Sequence, residues 1–371
     1  METHARAGFG SLFEGGGTSP ARIALGLIVG ILCFVALSEA VGAGLARLLG
    51  PRLAEDGMAA IKARHMAEHG DDYDVLFVGS SRVYRQIRPR VFDAECERAG
   101  AEVRSYNLGL AGMRFFEALR TAEALLSDPP ASLDVLVLEG LDPDPRLREE
   151  NLLSRREIAW HTPGLTWLAL RRVWRRDEPL AEKLRETRGH LFQFGCSFAN
   201  VGTASALSDL LFGGPGPEED RTPGGYLPLE KDPSETVTDR RRAFLEALNE
   251  NRSLLEERVA ELEAEPRSVE PDALFADTLA RLEGIAREAG VELVFVVLPP
   301  VEHRRPELVG AKERGCIEHL ADLSDPAEHP DFYLKLAERF DENHLKKNGA
   351  ARLTKLVAAA VASVLEGAQT R

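Results

Sequence analysis

Asp74-Val75-Leu76-Phe77-Val78-Gly79-Ser80-Ser81-Arg82 is the stretch on which the fold turns. It opens as a short apolar run rich in β-branched and aromatic residues and stops at a glycine. That is the signature of a buried strand, placed here at 74–79. Glu102–Tyr106 is read as a second strand, and similar apolar runs recur at LDVLVLEG (133–140) and VELVFVVLPP (291–300). Between them lie helical patterns: Pro89 to Ala99 closed by Gly100, residues 113–126 with Phe115, Phe116, Leu119, Ala122 and Leu125 in register, and 272–289 closed by Gly290. Asn348 is a candidate N-cap for a last helix reaching about Leu365. Continuous apolar strands alternating with helices predict a mostly parallel sheet covered on both faces.

About 130 residues between the third and fourth strands break this rhythm, too many for a loop. They carry helical patterns, among them one amphipathic helix over Arg240–Glu263, and a Gly/Pro-rich turn at 213–225. The organisation expected is a disordered N-terminus (1–20), a transmembrane anchor (21–46), an α/β domain in two parts (47–150 and 271–371) and a mostly helical insertion (151–270).

The anchor rests on IALGLIVGILCFVAL (23–37), an uninterrupted apolar run of 15 residues, extended past Ser38 and Glu39 by small residues. A spanning helix needs about 20 residues. Arg22 precedes the run and a polar segment follows, as in a targeting sequence. The reading carried forward is a single-pass anchor with the domain on the extracytoplasmic, periplasmic side. A signal peptide cleaved near Gly42–Ala43 and a buried core helix are the alternatives. The orientation is a default, because Arg6 and Arg22 are balanced by Arg47 and Arg52.

The chain has 371 residues and a net charge of −14. That excess of acid excludes nucleic acid as a partner, since phosphate binding needs a basic footprint. Cys33, Cys96, Cys196 and Cys316 are too scattered for a zinc ribbon or a disulfide framework. His161, His190, His303, His319 and His329 show no metal-ligand spacing, and surface or core placement is expected for them. Asp144, near Asp142 in an acidic loop, offers a carboxylate pair for a cation or, more simply, a solvated loop. Residues 151–190 depart from the average. Nine Lys/Arg against five Asp/Glu give a local +4, and all three tryptophans (Trp160, Trp167, Trp174) lie there seven residues apart. Such a segment either lies at a membrane interface or packs its tryptophans on the α/β domain with the arginines solvated.

Two short motifs carry the chemistry. Ser81 follows the first strand, where open α/β sheets bind ligands. Near the C-terminus, Asp341 and His344 are three apart in a turn, so the carboxylate can accept the imidazole Nδ1–H and leave Nε2 as a general base. Either alone is a weak signal, but together, in this order, they are specific.

With these residues the chain resembles the SGNH (GDSL-like) hydrolase superfamily, in its membrane-anchored bacterial branch associated with cell-envelope O-acylation. Gly79-Ser80-Ser81 matches the family's G-D-S turn and Asp341-x-x-His344 its last block. Tyr106-Asn107-Leu108-Gly109-Leu110-Ala111-Gly112 resembles the glycine block after the second strand. The resemblance covers roughly 74–145 and 272–366, not the insertion. It implies a flavodoxin-like three-layer fold, a Ser81–His344–Asp341 triad, and an oxyanion hole from the Ser81 and Gly112 amides. Ser80, Arg82, Asn107 and Asp142 are candidate substrate contacts, and no cofactor or metal is implied. The function implied is a serine esterase or O-acyltransferase acting on acyl esters of envelope glycans or lipids. Two positions depart from the pattern. Ser80 replaces the G-D-S aspartate, and Gly140-Leu141-Asp142 replaces G-x-N, so an acceptor stands where the family has a donor. The alternative is a non-catalytic domain that binds glycan or a carrier beside a polytopic membrane O-acyltransferase.

Overall fold

A computed structural model of the chain describes residues 20–49, 57–199, 201 and 223–369. The expected disorder of residues 1–20 falls almost wholly outside them. Five strands form one parallel sheet: β1 Val75–Val78, β2 Ser105–Asn107, β3 Val135–Glu139, β4 Glu292–Val297 and β5 His319–Asp322, in the order β2-β1-β3-β4-β5. Val75 pairs with Ser105 on one side and Val135 on the other, and Val135 pairs in turn with Glu292. β1 and β3 are buried throughout and β4 after its first residue, which is why they read as unbroken apolar runs; β2 is buried as well but reads Ser-Tyr-Asn and begins three residues later than the strand expected over 102–106.

Right-handed crossovers place the helices. The chain leaves β1 in one direction and, after β2, returns across it to β3 in the other. Helix α4 (Pro89–Ala99) packs with the last helix, α14 (Lys347–Gln369), on one face. Helices α5 (Phe115–Ser127) and α11 (Ala273–Ala289) pack together on the other. The result is an α/β domain on an all-parallel sheet, compatible with three layers. Reversal at β1 opens a crevice between the carboxyl ends of β1 and β3, where such sheets bind ligands.

Outside the insertion, five elements were not legible in the sequence: α2 (Gly57–His69), α3 (Ser81–Gln86), α12 (Pro306–Glu313), α13 (Asp331–Leu334) and β5. Strand β5 is short, half-buried and ends in charge, as edge strands do. The helix expected over Arg240–Glu263 is two, α9 (Glu235–Glu250) and α10 (Leu254–Ala264). Asn251 Oδ1 accepts the Ser253 N–H (3.1 Å) and Oγ–H (2.9 Å), a local arrangement that competes with helix. The insertion also holds α6 (Arg155–Trp160), α7 (Pro163–Arg175) and α8 (Leu180–Phe198). Trp160, Leu165, Ala169 and Leu262 join the core of the sheet domain, so the insertion is packed onto it. The four cysteines are free.

The anchor expectation falls on α1 (Pro20–Leu49). Residues 23–30 are all exposed and present apolar side chains such as Ile23, Leu25, Leu27 and Val29. Among the described residues, no helix is long and apolar enough to cross a membrane. Helix α2 (Gly57–His69) leads to β1.

His161 and His190, given no relation by their spacing, meet in the insertion. His161 Nε2 lies 3.1 Å from His190 Nδ1, and both rings are fully buried. His161 Nδ1 donates to Glu157 O (2.6 Å) and His190 Nε2 to Pro145 O (2.9 Å), so with both rings neutral the facing nitrogens meet lone pair to lone pair, with no hydrogen bond between them. Burial pushes His161 down to about 3 and His190 to about 4. Both are therefore neutral when folded but titrate near 6.5 when unfolded. Their contribution is complete above pH 6.5 and is lost as pH falls through about 4 for His190 and about 3 for His161. Buried Glu157, pushed up to about 7 by burial, acts in the opposite sense between 4.5 and 7. Two histidines outweigh one carboxylate. We expect the wild type to lose more melting temperature between pH 7.5 and 5 than His161→Gln/His190→Gln. Equal losses in thermal melts would refute the assignment.

Candidate active site

The site is built on the turn after β1. Gly79 sits where a Cβ would come within 2.5 Å of Val83 Cγ2 and 2.6 Å of Glu139 Cβ, so only glycine lets α3 start this close to β3. Ser80 is the N-cap of α3, and its Oγ accepts the Arg82 N–H (3.2 Å). Ser81 is the first helical residue, so its N–H has no intrahelical acceptor.

Glu139, the last residue of β3, holds this turn. Its Oε2 accepts the Ser80 N–H (2.6 Å) and its Oε1 the Arg82 Nε–H (3.2 Å). It is 4% exposed. Its only mark in the sequence is that a carboxylate ends a buried strand, which signals fixed partners.

Residues 339–345 form a second turn, closed by an antiparallel bridge between Arg339 and Leu345 and by Phe340 N–H to His344 O (2.8 Å). Arg339 staples it from within, donating to the carbonyls of Tyr333 (3.0 Å), Asp341 (3.3 Å) and Glu342. Burial lowers this guanidinium to about 10. Leu345 N–H donates to Gln86 Oε1 (3.1 Å) and Thr354 Oγ1 to Gln86 O (3.0 Å), locking turn and α14 to the end of α3.

These two turns bring Ser81, His344 and Asp341 together. Asp341 Oδ1 accepts the His344 Nδ1–H (2.8 Å) and the Asn343 N–H (2.9 Å). The Nδ1 proton leaves His344 Nε2 as acceptor, and Ser81 Oγ donates to it at 2.8 Å. Burial pushes His344 below its ordinary value, against the opposing pull of Asp341, and Arg82 and Arg240 push the same way. Its Nε2 lone pair is thus available at neutral pH. Burial would raise Asp341, but its bond to His344, the Asn343 amide and Arg240 reverse this and hold it below the usual carboxylate range.

Helix α9 of the insertion lies over this acid. Arg240 Nη1 is 3.8 Å from Asp341 Oδ2, and Arg241 donates to the carbonyls of Arg339 (3.2 Å) and Phe340. Neither arginine stood out in the sequence.

The remaining expected residues divide. Asn107 is a clamp rather than a substrate contact. It is fully buried, with Nδ2 donating to Val83 O (2.7 Å) and Ile87 O (2.8 Å) and Oδ1 accepting the Gly109 N–H (2.9 Å). Ser80 and Arg82 are engaged in building the turn. Asp142 is exposed, and its charge acts on Arg114, Arg172 and Arg305. Asp144 makes no carboxylate pair for a cation. It lies within 3.4–3.8 Å of Arg114, Arg146 and Arg176. Gly112 is exposed at φ +71° and no hydrogen bond joins it to Ser81 among the described residues.

The glycine that touches α3 is Gly109. A Cβ there would lie 2.5 Å from Tyr84 N and 2.8 Å from Val83 Cβ. Gly109→Ala must push α3, and Ser81 with it, at a cost of about 1–3 kcal/mol. Gly112→Ala meets nothing within 4 Å and pays only for its left-handed backbone, about 1–2 kcal/mol. We expect Ser81 reactivity to fall in the first variant and persist in the second. Equal reactivity would show that the 109 contact does not set the nucleophile.

No protein-family model matches the chain, and none of the curated proteins compared with it is significantly similar.

Proposed function

We propose that this chain is a serine esterase or O-acyltransferase of the SGNH type, with a flavodoxin-like domain held at the membrane by α1 and facing the extracytoplasmic side. The observation that carries the reading is the unbroken relay from Ser81 Oγ through His344 to Asp341, with both hydrogen bonds at 2.8 Å. Its place at the carboxyl ends of β1 and β3 supports it further.

Chemistry follows from the geometry. Ser81 Oγ attacks the ester carbonyl while its proton passes to His344 Nε2. The imidazolium is held by Asp341, and the Ser81 amide donates to the developing oxyanion. Collapse breaks the ester C–O bond, and the His344 proton leaves with the alcohol. The acyl group, now on Ser81, passes to water or to a second hydroxyl by the same steps in reverse order. Acyl esters of envelope glycans or lipids are the substrate class that the family resemblance implies.

A serine-reactive fluorophosphonate tests the assignment. Wild type is expected to label and Ser81→Ala to lose labelling. Because burial holds His344 below its ordinary value, labelling is expected to persist as pH falls to about 6.5. Equal labelling of the two forms would discard Ser81 as nucleophile. Absence of labelling in both would favour a non-catalytic domain that binds an acyl carrier or glycan.

A further inference from the structure

The basic, tryptophan-bearing segment is only partly explained by packing. Trp160 is buried, stacked between Phe116 and His161. Trp167 and Trp174 are 63% and 48% exposed. They lie two turns apart on α7, opposite the buried Leu165, Ala169 and Val173. Helix α8 repeats the arrangement, with Leu180, Leu184 and Leu191 exposed on one side and Glu186, His190 and Gln193 buried on the other. Trp174 Nε1 donates to Thr187 Oγ1 (3.1 Å), and Thr187 sits between Leu184 and Leu191 on the same stripe. The two stripes therefore join into one apolar face. Exposed Phe192 borders it.

The charges around this face are not spent evenly. Arg156 is paired with Glu117, Arg172 and Arg175 with Asp272, Arg176 with Glu178 and Arg185 with Glu182. Arg171, between the two exposed tryptophans, and Arg188, beside Leu184 and Leu191, have no acidic partner among the described residues. Both are exposed. Helix α1, whose described side chains are apolar and exposed over 23–30, touches α8.

From these observations we infer that the α7–α8 face docks flat on a lipid bilayer bearing anionic headgroups. Tryptophan is favoured at the headgroup level, where its ring is half in hydrocarbon and its N–H stays polar. Leucines and phenylalanine enter beside it, and the guanidiniums of Arg171 and Arg188 meet the anionic lipid. The local +4 in a chain of net −14 places positive charge where a negative surface needs it. Contact with α1 brings this face to the same membrane that the proposed anchor enters. The docking does not depend on the chemistry of Ser81.

The test uses the full-length protein in vesicles of phosphatidylcholine and phosphatidylglycerol with brominated acyl chains. Bromine quenches indole only at bilayer depth. Emission is expected to be quenched relative to unbrominated vesicles. Trp167→Phe/Trp174→Phe should lose the quenchable component, leaving the buried Trp160. Leu184→Glu/Leu191→Glu changes only exposed positions and should abolish quenching of Trp167 and Trp174 while fluorophosphonate labelling persists. Unquenched emission in floated vesicles, with iodide still reaching the tryptophans from water, would overturn the inference in favour of a free or protein-binding face. Failure of the protein to float would overturn it as well.

Discussion

Asp341→Asn is expected to fold as the wild type does and to lose about 10⁴ of its turnover, the usual loss when a triad histidine is left in the wrong tautomer. The carboxylate Oδ1 accepts two hydrogen bonds, from His344 Nδ1 and from the Asn343 amide. An amide oxygen at the same place can accept both, so the turn survives. The lost part is electrostatic. An amide cannot stabilise the imidazolium that forms as Ser81 attacks, and rotation of the amide would present N–H to Nδ1 and move the ring proton to Nε2. Single-turnover acylation by an activated ester measures the effect. A loss below about tenfold would mean that His344 is held by its burial, at 3% exposure, rather than by Asp341.

Lys62→Met is expected to destabilise the domain by about 3 kcal/mol or more. Lys62 is 2% exposed, and its ammonium spends its three donors on Asn107 O (2.7 Å), Gly109 O (2.6 Å) and Gly225 O (2.9 Å). It also lies 4.3 Å from the centre of the Tyr84 ring. Methionine fills the volume and removes a costly buried charge, but it leaves three carbonyls without this partner, at about 1–3 kcal/mol for each one left unsatisfied. The imbalance falls on the loop beside α3 and on the insertion's turn at 223–225 together. Urea unfolding reads the result as a lower midpoint at unchanged slope. An unchanged midpoint would show that the segments hold each other without the lysine.

Three strands of the sheet and the two reactive turns could be read from residues alone, because buried parallel strands are written as unbroken apolar runs and Gly-Ser-Ser and Asp-x-x-His are local patterns. What escaped the reading was set by distance. Glu139 reads as the end of a strand until Ser80 and Arg82 are seen beside it. His161 and His190 are 29 residues apart, and only the packing of α6 on α8 makes them neighbours. The close approach of Gly109 to α3 is a property of backbone in space that the motif's spacing does not carry. Asn107 looked available because it is polar and near the turn, yet every one of its hydrogen-bonding atoms faces inward. Of the three tryptophans, Trp160 packs inward as the packing reading expects, whereas Trp167 and Trp174 are exposed.

The separation between Ser81 and His344, 263 positions along the chain, also sets a timetable. A ribosome delivers the serine and its turn early and the histidine near the end, and chains fold from the amino terminus as they emerge. Long closures of this kind come late, because their entropy is lost before any contact rewards it. Until α14 docks against α4 and the turn at 339–345 closes onto Gln86, Ser81 has no base. If Ser81 is the nucleophile proposed, a chain halted anywhere before residue 344 lacks its base, and reactivity is expected only once the last helix has docked.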